Sequence, residues 1–457
     1  MGTFDELYRR SPVWLQNLLV STYGRYWHWA RFGGDYPAHE EGYRRREAFT
    51  EQDWVAYQHA RLRELLTICL EHVPYYQQAW SQEVQDAARE GDLSALPLQE
   101  KSELRRSADQ FQRQDQNPLV KFPFQTSGTT GTPITAVFTL SELRNSMALR
   151  EVRSANWAGV SFDEPRATFS GRIVEPDPQE DTHIYRYNHA EKQIYFSPFH
   201  LKPETAPRYV EAIWKHRPAW LTGYAVSYYL LAKYILEQRL LIPELKAVIT
   251  TSEKLTPHMR ETMQQAYGCQ VYEEYSTVEN ALFASECEHG HLHVSPDVGI
   301  VEILQQDGSP CPPGEVGEVV TTCLIRTYQP IIRFRLGDLA AWDPEPCPCG
   351  RQMPVIKEVV GRLEDIVTGP DGRQMVRFHG IFIDQPYVVE GQIIQEKIDE
   401  FTVRIVPAPG FSGSDVQDII HRMQQRLGQD IHVTVEQVDK IPRTKAGKYR
   451  AVISKVC

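Results

Sequence analysis

The chain of 457 residues is 41% hydrophobic and 24% charged, the balance of a globular protein with about two to four structural units, which excludes wholesale disorder. Its net charge of −11 argues against general binding to nucleic acid or to an anionic membrane, because either partner needs a basic surface to neutralise phosphates. No run of about eighteen apolar residues exists and no secretion signal opens the chain, so the expectation is a cytoplasmic protein without integral membrane association.

In chain order, the first feature is an aromatic segment at 12–34 that carries Trp14, Tyr23, Tyr26, Trp27, Trp29 and Phe32. Such a segment lies on a membrane or partner, or packs as an arm on the main domain; its few, scattered basic residues favour the arm. Residues 1–115 read as a helical N-terminal part, where Leu62, Leu65, Leu66, Cys69 and Leu70 fall at helical spacing before the breaker Pro74. Residues 126–133 then spell T-S-G-T-T-G-T-P. Gly128 and Gly131 permit positive φ and a close backbone approach, so successive N–H groups can face one anion, while Ser127, Thr129, Thr130 and Thr132 add hydroxyls. The expected ligand is a nucleoside triphosphate. The loop is not a P-loop, since Thr132 and Pro133 follow the second glycine where that motif needs lysine and then serine or threonine.

From 118 to 340, apolar β-rich runs alternate with amphipathic helices. Strands at Ala247–Thr251 and 270–275 flank a helix at Pro257–Tyr267, which implies an α/β fold with a helix-covered, mostly parallel sheet. Residues 297–342 carry short β-branched runs around the turn Pro312-Pro313-Gly314, as in a smaller β-rich unit. After Gly361-Arg362 come a hairpin signal at Gly369-Pro370-Asp371-Gly372, a strand, a helix at 414–427 and another strand, as in a small α+β domain. The expected organisation is an N-terminal domain over 1–363 and a small, mobile C-terminal domain over 364–457.

Four short stretches carry the candidate chemistry. Residues 272–280, Y-E-E-Y-S-T-V-E-N, are a strand end running into a turn that offers the hydroxyls of Ser276 and Thr277 and the carboxylate of Glu279. A carboxylate at the C-terminal end of a parallel strand is where nucleotide-bound Mg²⁺ would be held. Residues 333–338, R-F-R-L-G-D, place Asp338 after a glycine, where it can accept hydrogen bonds from both ribose hydroxyls. G-R-L-E-D at 361–365 precedes the expected domain boundary, and I-P-R-T-K-A-G-K-Y-R at 441–450 sets Lys448 on an exposed turn. Separately, C-E-H-G-H-L-H at 287–293 and C-P-C-G at 347–350 combine thiolates and imidazole, the ligands tetrahedral zinc prefers. Cys287, His293, Cys347 and Cys349 would make a closed, structural Cys₃His site, with His289 and His291 open as alternatives to His293. Buried thiols and surface histidines are the plain alternative.

This order of elements, from the glycine–threonine loop to the C-terminal G-K, resembles the adenylate-forming superfamily of acyl-CoA synthetases, peptide-synthetase adenylation domains and luciferases. Within it the likeness is to phenylacetate–CoA ligases and the related capsular-polysaccharide-biosynthesis proteins. The resemblance implies ATP-dependent activation of an aryl or small acyl carboxylate to an acyl-adenylate with release of pyrophosphate. Acyl transfer to CoA, or else to an amine, hydroxyl or carrier thiol, would follow. It further implies that Thr126, Ser127, Gly128, Thr129, Thr130, Gly131 and Thr132 hold the β,γ-phosphates, Glu279 the Mg²⁺, and Asp338 and Arg362 the ribose. Lys448 would meet the α-phosphate and substrate carboxylate. Thr251, Ser252 and Glu253 match the stretch that lines the adenine, Ser276 belongs to the same ATP-binding set, and Glu364 stands at the hinge. The reaction brings two anions together, so a lysine and a metal ion must neutralise charge that concentrates in the transition state.

Two departures mark this chain. Where phenylacetate–CoA ligases place an R-G-V-N-type stretch after the hinge, residues 366–375 read I-V-T-G-P-D-G-R-Q-M, which opens the question of whether CoA is the acceptor. Ser276 replaces a glycine and Val278 a threonine or serine of the family's Mg²⁺ motif. A non-catalytic, nucleotide-binding member with an assembly or regulatory role is the alternative; Lys448 favours catalysis, because a binding protein has no need of an adenylation lysine.

Overall fold

A computed structural model describes residue 8 and residues 11–125, 134–172, 174–175, 183–362, 367–371, 374–375, 379–382, 385–444 and 449–456. Local chemistry explains its elements. The hydroxyl of Thr50 accepts the Asp53 N–H at 3.2 Å while the Asp53 carboxylate accepts the Thr50 N–H at 2.9 Å, a reciprocal cap that starts the helix Glu51–His72. Leu62, Leu65, Leu66 and Cys69 are buried on its inner face, as their spacing requires. Helices Val13–Phe32, Tyr36–Arg46, Pro74–Ala79, Gln82–Glu90 and Lys101–Arg106 make up the rest of the helical N-terminal part.

Strands β1 (Lys121–Gln125) and β2 (Thr135–Thr139) pair antiparallel, with Gln125 opposite Thr135. The expected phosphate loop, Thr126 to Thr132, lies outside the described residues. Twelve strands then form one sheet: β3 (Arg166–Phe169), β4 (Tyr185–Asn188), β5 (Gln193–Phe196), β6 (Trp220–Tyr224), β7 (Ala247–Thr251), β8 (Gln270–Ser276), β9 (Phe283–Glu286), β10 (Leu292–Val294), β11 (Gly299–Leu304), β12 (Gly317–Cys323), β13 (Phe334–Trp342) and β14 (Val355–Arg362). Their spatial order is β11-β12-β13-β14-β10-β9-β8-β7-β6-β3-β5-β4. The sheet is parallel from β5 through β3, β6 and β7 to β8, and antiparallel elsewhere.

The α/β architecture is as expected, with one difference. The β-rich stretch 297–342 packs in a core separate from that of the parallel half, through Val298, Ile303, Val319 and Phe334, but its strands continue the large sheet: β9 pairs antiparallel with β8, Ser276 opposite Phe283, and joins both halves. The short connection between these strands has no room for a crossover helix, so the chain turns back beside the strand it has left. Helices Ala206–His216, Ala225–Glu237 and Pro257–Tyr267 pack on the parallel half and share a core with Phe169, Phe196, Leu221, Val248 and Val271. Thr256 caps the last of these helices and Gly268, at φ 66°, ends it in the left-handed region that glycine favours.

The C-terminal part has its own core and its own sheet. After the hairpin of β15 (Val367–Thr368) and β16 (Gln374–Met375), strands β17 (Val388–Gln395), β18 (Glu400–Pro407), β19 (His432–Gln437) and β20 (Val452–Ser454) assemble in the order β19-β18-β17-β20. The helix Gly413–Leu427 covers them through Ile419, Met423 and Leu427, which meet Ile393, Phe401, Val403 and Val452. The expected boundary and the hinge residue Glu364 fall in 363–366, outside the described residues.

Candidate active site

The parallel strands β6, β7 and β8 end together, with Tyr224 opposite Thr251 and Thr251 opposite Glu274. Chain leaving this edge supplies most of the described candidate residues, beyond the carboxyl ends of the strands, which is where open α/β sheets bind ligands. Thr251 closes β7. Ser252 follows at φ 70°, a conformation rarely adopted by non-glycine residues and concentrated at functional sites. The strained turn delivers Glu253, whose carboxylate accepts the N–H of Val226 at 2.9 Å and the N–H of Tyr449 at 2.7 Å. One oxygen thus satisfies the first turn of the helix Ala225–Glu237, and the other binds the backbone one residue after Lys448. Lys448 itself lies outside the described residues.

At the end of β8, the hydroxyl of Ser276 donates to Glu274 at 3.0 Å and accepts from Arg150 at 3.1 Å, while Arg150 also pairs with Glu274 at 3.0 Å. The turn that follows holds Glu279 buried. Arg326, fully buried, fixes this turn: it donates to the Glu279 carbonyl at 2.9 Å, to the Val137 carbonyl at 3.0 Å and to Gln329 at 2.6 Å. Val137 lies in β2, so one guanidinium bolts the strand after the glycine–threonine loop to the Glu279 turn. Charge-assisted hydrogen bonds of this kind are about twice as strong as neutral ones.

Asp338 stands on β13 directly opposite Arg362 on β14. Its carboxylate accepts from the Tyr275 hydroxyl at 2.7 Å and pairs with Arg362 at 3.3 Å. Burial raises the Tyr275 phenol well above its ordinary range, and the Asp338 charge raises it further, so the hydroxyl keeps its proton and acts as a donor. Lys254 reaches from the β7 turn to Glu358 at 3.3 Å and to the Val360 carbonyl at 3.4 Å, which fastens that turn to β14. The described members of the expected ATP set therefore surround one region, held by side chains that sequence reasoning gave no role: Tyr275, Arg150 and Arg326. Tyr275 was visible inside the 272–280 motif; the two arginines had no local signal, since their partners are distant in sequence.

A second cluster lies beside β9, β10 and the turn before β14. Ligand atoms of Cys287, His293, Cys347 and Cys349 all fall within 4.8 Å of one another. Cys287 Sγ is 3.6 Å from Cys347 Sγ, and Cys349 Sγ is 3.3 Å from His293 Nε2. His293 Nδ1 faces the Met353 carbonyl at 3.3 Å, which leaves Nε2 turned toward the thiols, and burial holds the imidazole neutral by lowering it to about 4. Of the three candidate histidines, His293 is the one whose ring reaches the group among the described residues.

The large sheet and the C-terminal part give a fold shared with a solved CoA ligase. The chain matches a solved 2-hydroxyisobutyryl-CoA ligase, in its postadenylation state with R3-HIB-AMP, at a TM-score of 0.68 and 21% identity, over 90% of this chain and 91% of that one. Residues 373–455 match the CapK C-terminal domain family. Protein CapK of Staphylococcus aureus is 26% identical over 98% of this chain and 99% of its own length. A phenylacetate–coenzyme A ligase of Thermus thermophilus is 24% identical over 46% of this chain and 54% of its own. The chain is thus homologous to CapK and to phenylacetate–coenzyme A ligase, as its motif order implied.

Proposed function

We propose that this protein is an adenylate-forming ligase that activates a carboxylate with ATP and then passes the acyl group to a nucleophile. The observation that carries this reading is the convergence of Thr251–Ser252–Glu253, Ser276, Glu279, Asp338 and Arg362 at one edge of the sheet, in a chain homologous to a CoA ligase. In this reading Asp338 accepts hydrogen bonds from the ribose hydroxyls, oriented by Tyr275 and Arg362, and the 251–253 turn lines the adenine. The glycine–threonine loop holds the β,γ-phosphates. Lys448 brings its positive charge to the α-phosphate and to the incoming carboxylate, where charge concentrates in the transition state.

Glu279 presents a carboxylate, the hard oxygen donor that Mg²⁺ takes, and would hold that ion, which supplies charge neutralisation at the phosphates. The four ligand atoms of the thiol–imidazole cluster fit tetrahedral zinc, and we assign them a structural clip. No described helix is long and apolar enough to cross a membrane, and we place the protein in the cytoplasm. The acceptor is CoA or else an amine, hydroxyl or carrier thiol of surface-polysaccharide or secondary-metabolite assembly. The test is substrate-dependent ATP–pyrophosphate exchange across a panel of aryl and small acyl carboxylates, with thioester formation measured with and without CoA. Lys448→Ala should abolish exchange while ATP binding persists; exchange near the wild-type rate in that variant overturns the assignment, and no exchange with any carboxylate favours a non-catalytic nucleotide-binding protein.

A further inference from the structure

The aromatic segment at 12–34 packs on the main domain as the helix Val13–Phe32, and its packing leaves room for a small group. Polar side chains hold the helix on β4 and the residue after it: Gln16 Oε1 accepts from Arg186 at 2.5 Å, Asn17 Oδ1 accepts the Tyr187 N–H at 3.0 Å, and Ser21 Oγ accepts the His189 N–H at 3.0 Å. Further along, the Trp27 ring lies against Phe122 and Phe124 of β1, with ring centres 5.3 and 6.3 Å away. Between helix and sheet is a cavity of about 80 Å³, walled by Val20, Tyr23 and Trp27 of the helix, by Tyr195 of β5, and by Arg172 and Val174 from the chain that leaves β3.

The walls carry donors that have no acceptor. Tyr195 is 7% exposed, yet among the described residues its hydroxyl has no hydrogen-bond partner. The Trp27 indole N–H is buried and likewise unpaired. The Arg172 guanidinium stands 4.7 Å over the Tyr195 ring, on the exposed side of the cavity, and no described carboxylate pairs with it. Arg186 also lines the cavity, but Glu175 takes up its charge at 2.8 Å. No Asp or Glu is among the described lining residues. An unpaired buried donor destabilises a fold, so several around one cavity point to a ligand that brings the acceptor oxygens. A carboxylate is acceptor-only and matches the guanidinium fork. The volume limits its size: a cavity of about 150 Å³ admits benzene, so this one takes a carboxylate group and excludes an aromatic ring.

The position of the cavity relates it to the active site. β3 ends at Phe169 opposite Gly223 of β6, and the N–H of Gly171 donates to the hydroxyl of Tyr224, the last residue of β6. The chain that carries Arg172 is therefore fastened at the same carboxyl edge as Thr251, and β5, which carries Tyr195, stands two strands, about 10 Å, from β6. We propose that the acid activated by this protein is a dicarboxylate, whose second carboxylate is held in this cavity by Arg172 and Tyr195. One carboxylate oxygen attacks the α-phosphorus of ATP and displaces pyrophosphate; the other carboxylate, about two strands away, selects the substrate. The inference rests on the proposed ligase activity and names its substrate class.

ATP–pyrophosphate exchange with succinate, glutarate, adipate and suberate, each against the monocarboxylate of equal chain length, tests the inference. A dicarboxylate should exceed its monocarboxylate in kcat/KM by roughly tenfold or more, and Arg172→Gln and Tyr195→Phe, each folded by circular dichroism, should reduce that ratio by roughly tenfold, chiefly through KM. Monocarboxylates that serve as well as every dicarboxylate, or a ratio that neither variant changes, overturn the inference and leave the ligase reading standing. If no acid supports exchange, the ligase reading fails, and calorimetric titration with the same dicarboxylates decides the cavity on its own: binding that both variants weaken keeps it as a carboxylate site, and no binding overturns it. Acetate that binds as tightly as the dicarboxylates, and in competition with them, also overturns the inference, because the cavity would then hold a free anion.

Discussion

Asp338 shows how a single side chain can be assigned a role before any ligand is seen. It is nearly enclosed, yet among the described residues its carboxylate is held by one neutral donor and one half-exposed arginine, an arrangement that orients the group without consuming all its acceptor capacity. Asp338→Ala should weaken nucleotide binding by about 1.5–3 kcal/mol, the range for hydrogen bonds to a charged acceptor. Because the variant also strips the buried Tyr275 hydroxyl of its partner, Asp338→Asn serves as its control, keeping an acceptor but not the charge. Calorimetric titration with ATP reads both, and unchanged affinity in folded Asp338→Ala places the ribose contact elsewhere.

Glu273 is a residue whose cost is visible as pH dependence. Burial, and then the neighbouring Glu286, raise its carboxyl from 4.5 to about 7, although Arg260 pulls it down. A folded-state pKa above the unfolded value means that the folded protein binds the proton more tightly. The associated stability is fully present below the unfolded value near 4.5 and is lost as pH rises through about 7. Glu273→Gln should therefore melt higher than the wild type by a margin that grows between about pH 5 and 8, and a margin constant with pH would remove Glu273 as the cause.

Among the elements, the turn after β7 joins the two halves of the chain. Glu253 caps the helix Ala225–Glu237 with one oxygen and binds the Tyr449 N–H with the other, so the backbone next to Lys448 is fastened to the stretch assigned to the adenine. The side chain of Tyr449 adds a contact to the Gly391 carbonyl of β17. In the proposed function, adenylation needs Lys448 against the nucleotide, and the contact between Glu253 and the Tyr449 N–H would hold the adjoining backbone for it. Glu253→Gln offers one acceptor oxygen where there were two and removes the charge. It should slow ATP–pyrophosphate exchange by roughly tenfold, the cost of one charged hydrogen bond, with a smaller change in the KM for ATP. Acyl transfer from a supplied acyl-adenylate should be spared. Equal losses in both half-reactions would make Glu253 a structural cap and no more.

Over the whole molecule, the thiol–imidazole cluster connects strands that the sheet alone holds weakly. β10 is three residues long and pairs with β14 over only Leu292 and His293, and the turn carrying Cys347 and Cys349 precedes β14, which ends at Arg362. A metal there would fix β14 and so the position of Arg362. Protein purified without added zinc should contain one zinc per chain, and Cys349→Ser should lose it together with thermal stability, since metal affinity and folding free energy are linked. Substoichiometric metal in the wild type, or an unchanged melting temperature in the variant, would return these residues to the role of buried thiols.

Much of this was legible in sequence because it depends on local spacing. The helical spacing of Leu62, Leu65, Leu66 and Cys69, the helix Pro257–Tyr267, the strand Ala247–Thr251 and the helix expected at 414–427 follow from periodicity and end signals carried by neighbouring residues. The motif order likewise marked Asp338, Arg362 and the 251–253 turn, and the Cys/His spacing marked the four members of the cluster. Long-range pairing decided the rest. That β9 folds back onto β8 and merges two expected sheets, that Arg326 spans from β2 to the Glu279 turn, and that Tyr275 supports Asp338 depend on residues far apart in the chain, whose contacts no window of sequence records. The N-terminal helix is the sharpest instance. Its composition marked an aromatic segment, but only the tertiary structure decided its buried face: Gln16, Asn17 and Ser21 pair with β4 and the residue after it while Trp27 and Ala30 pack with Phe122 and Phe138, and all of these partners lie far along the chain.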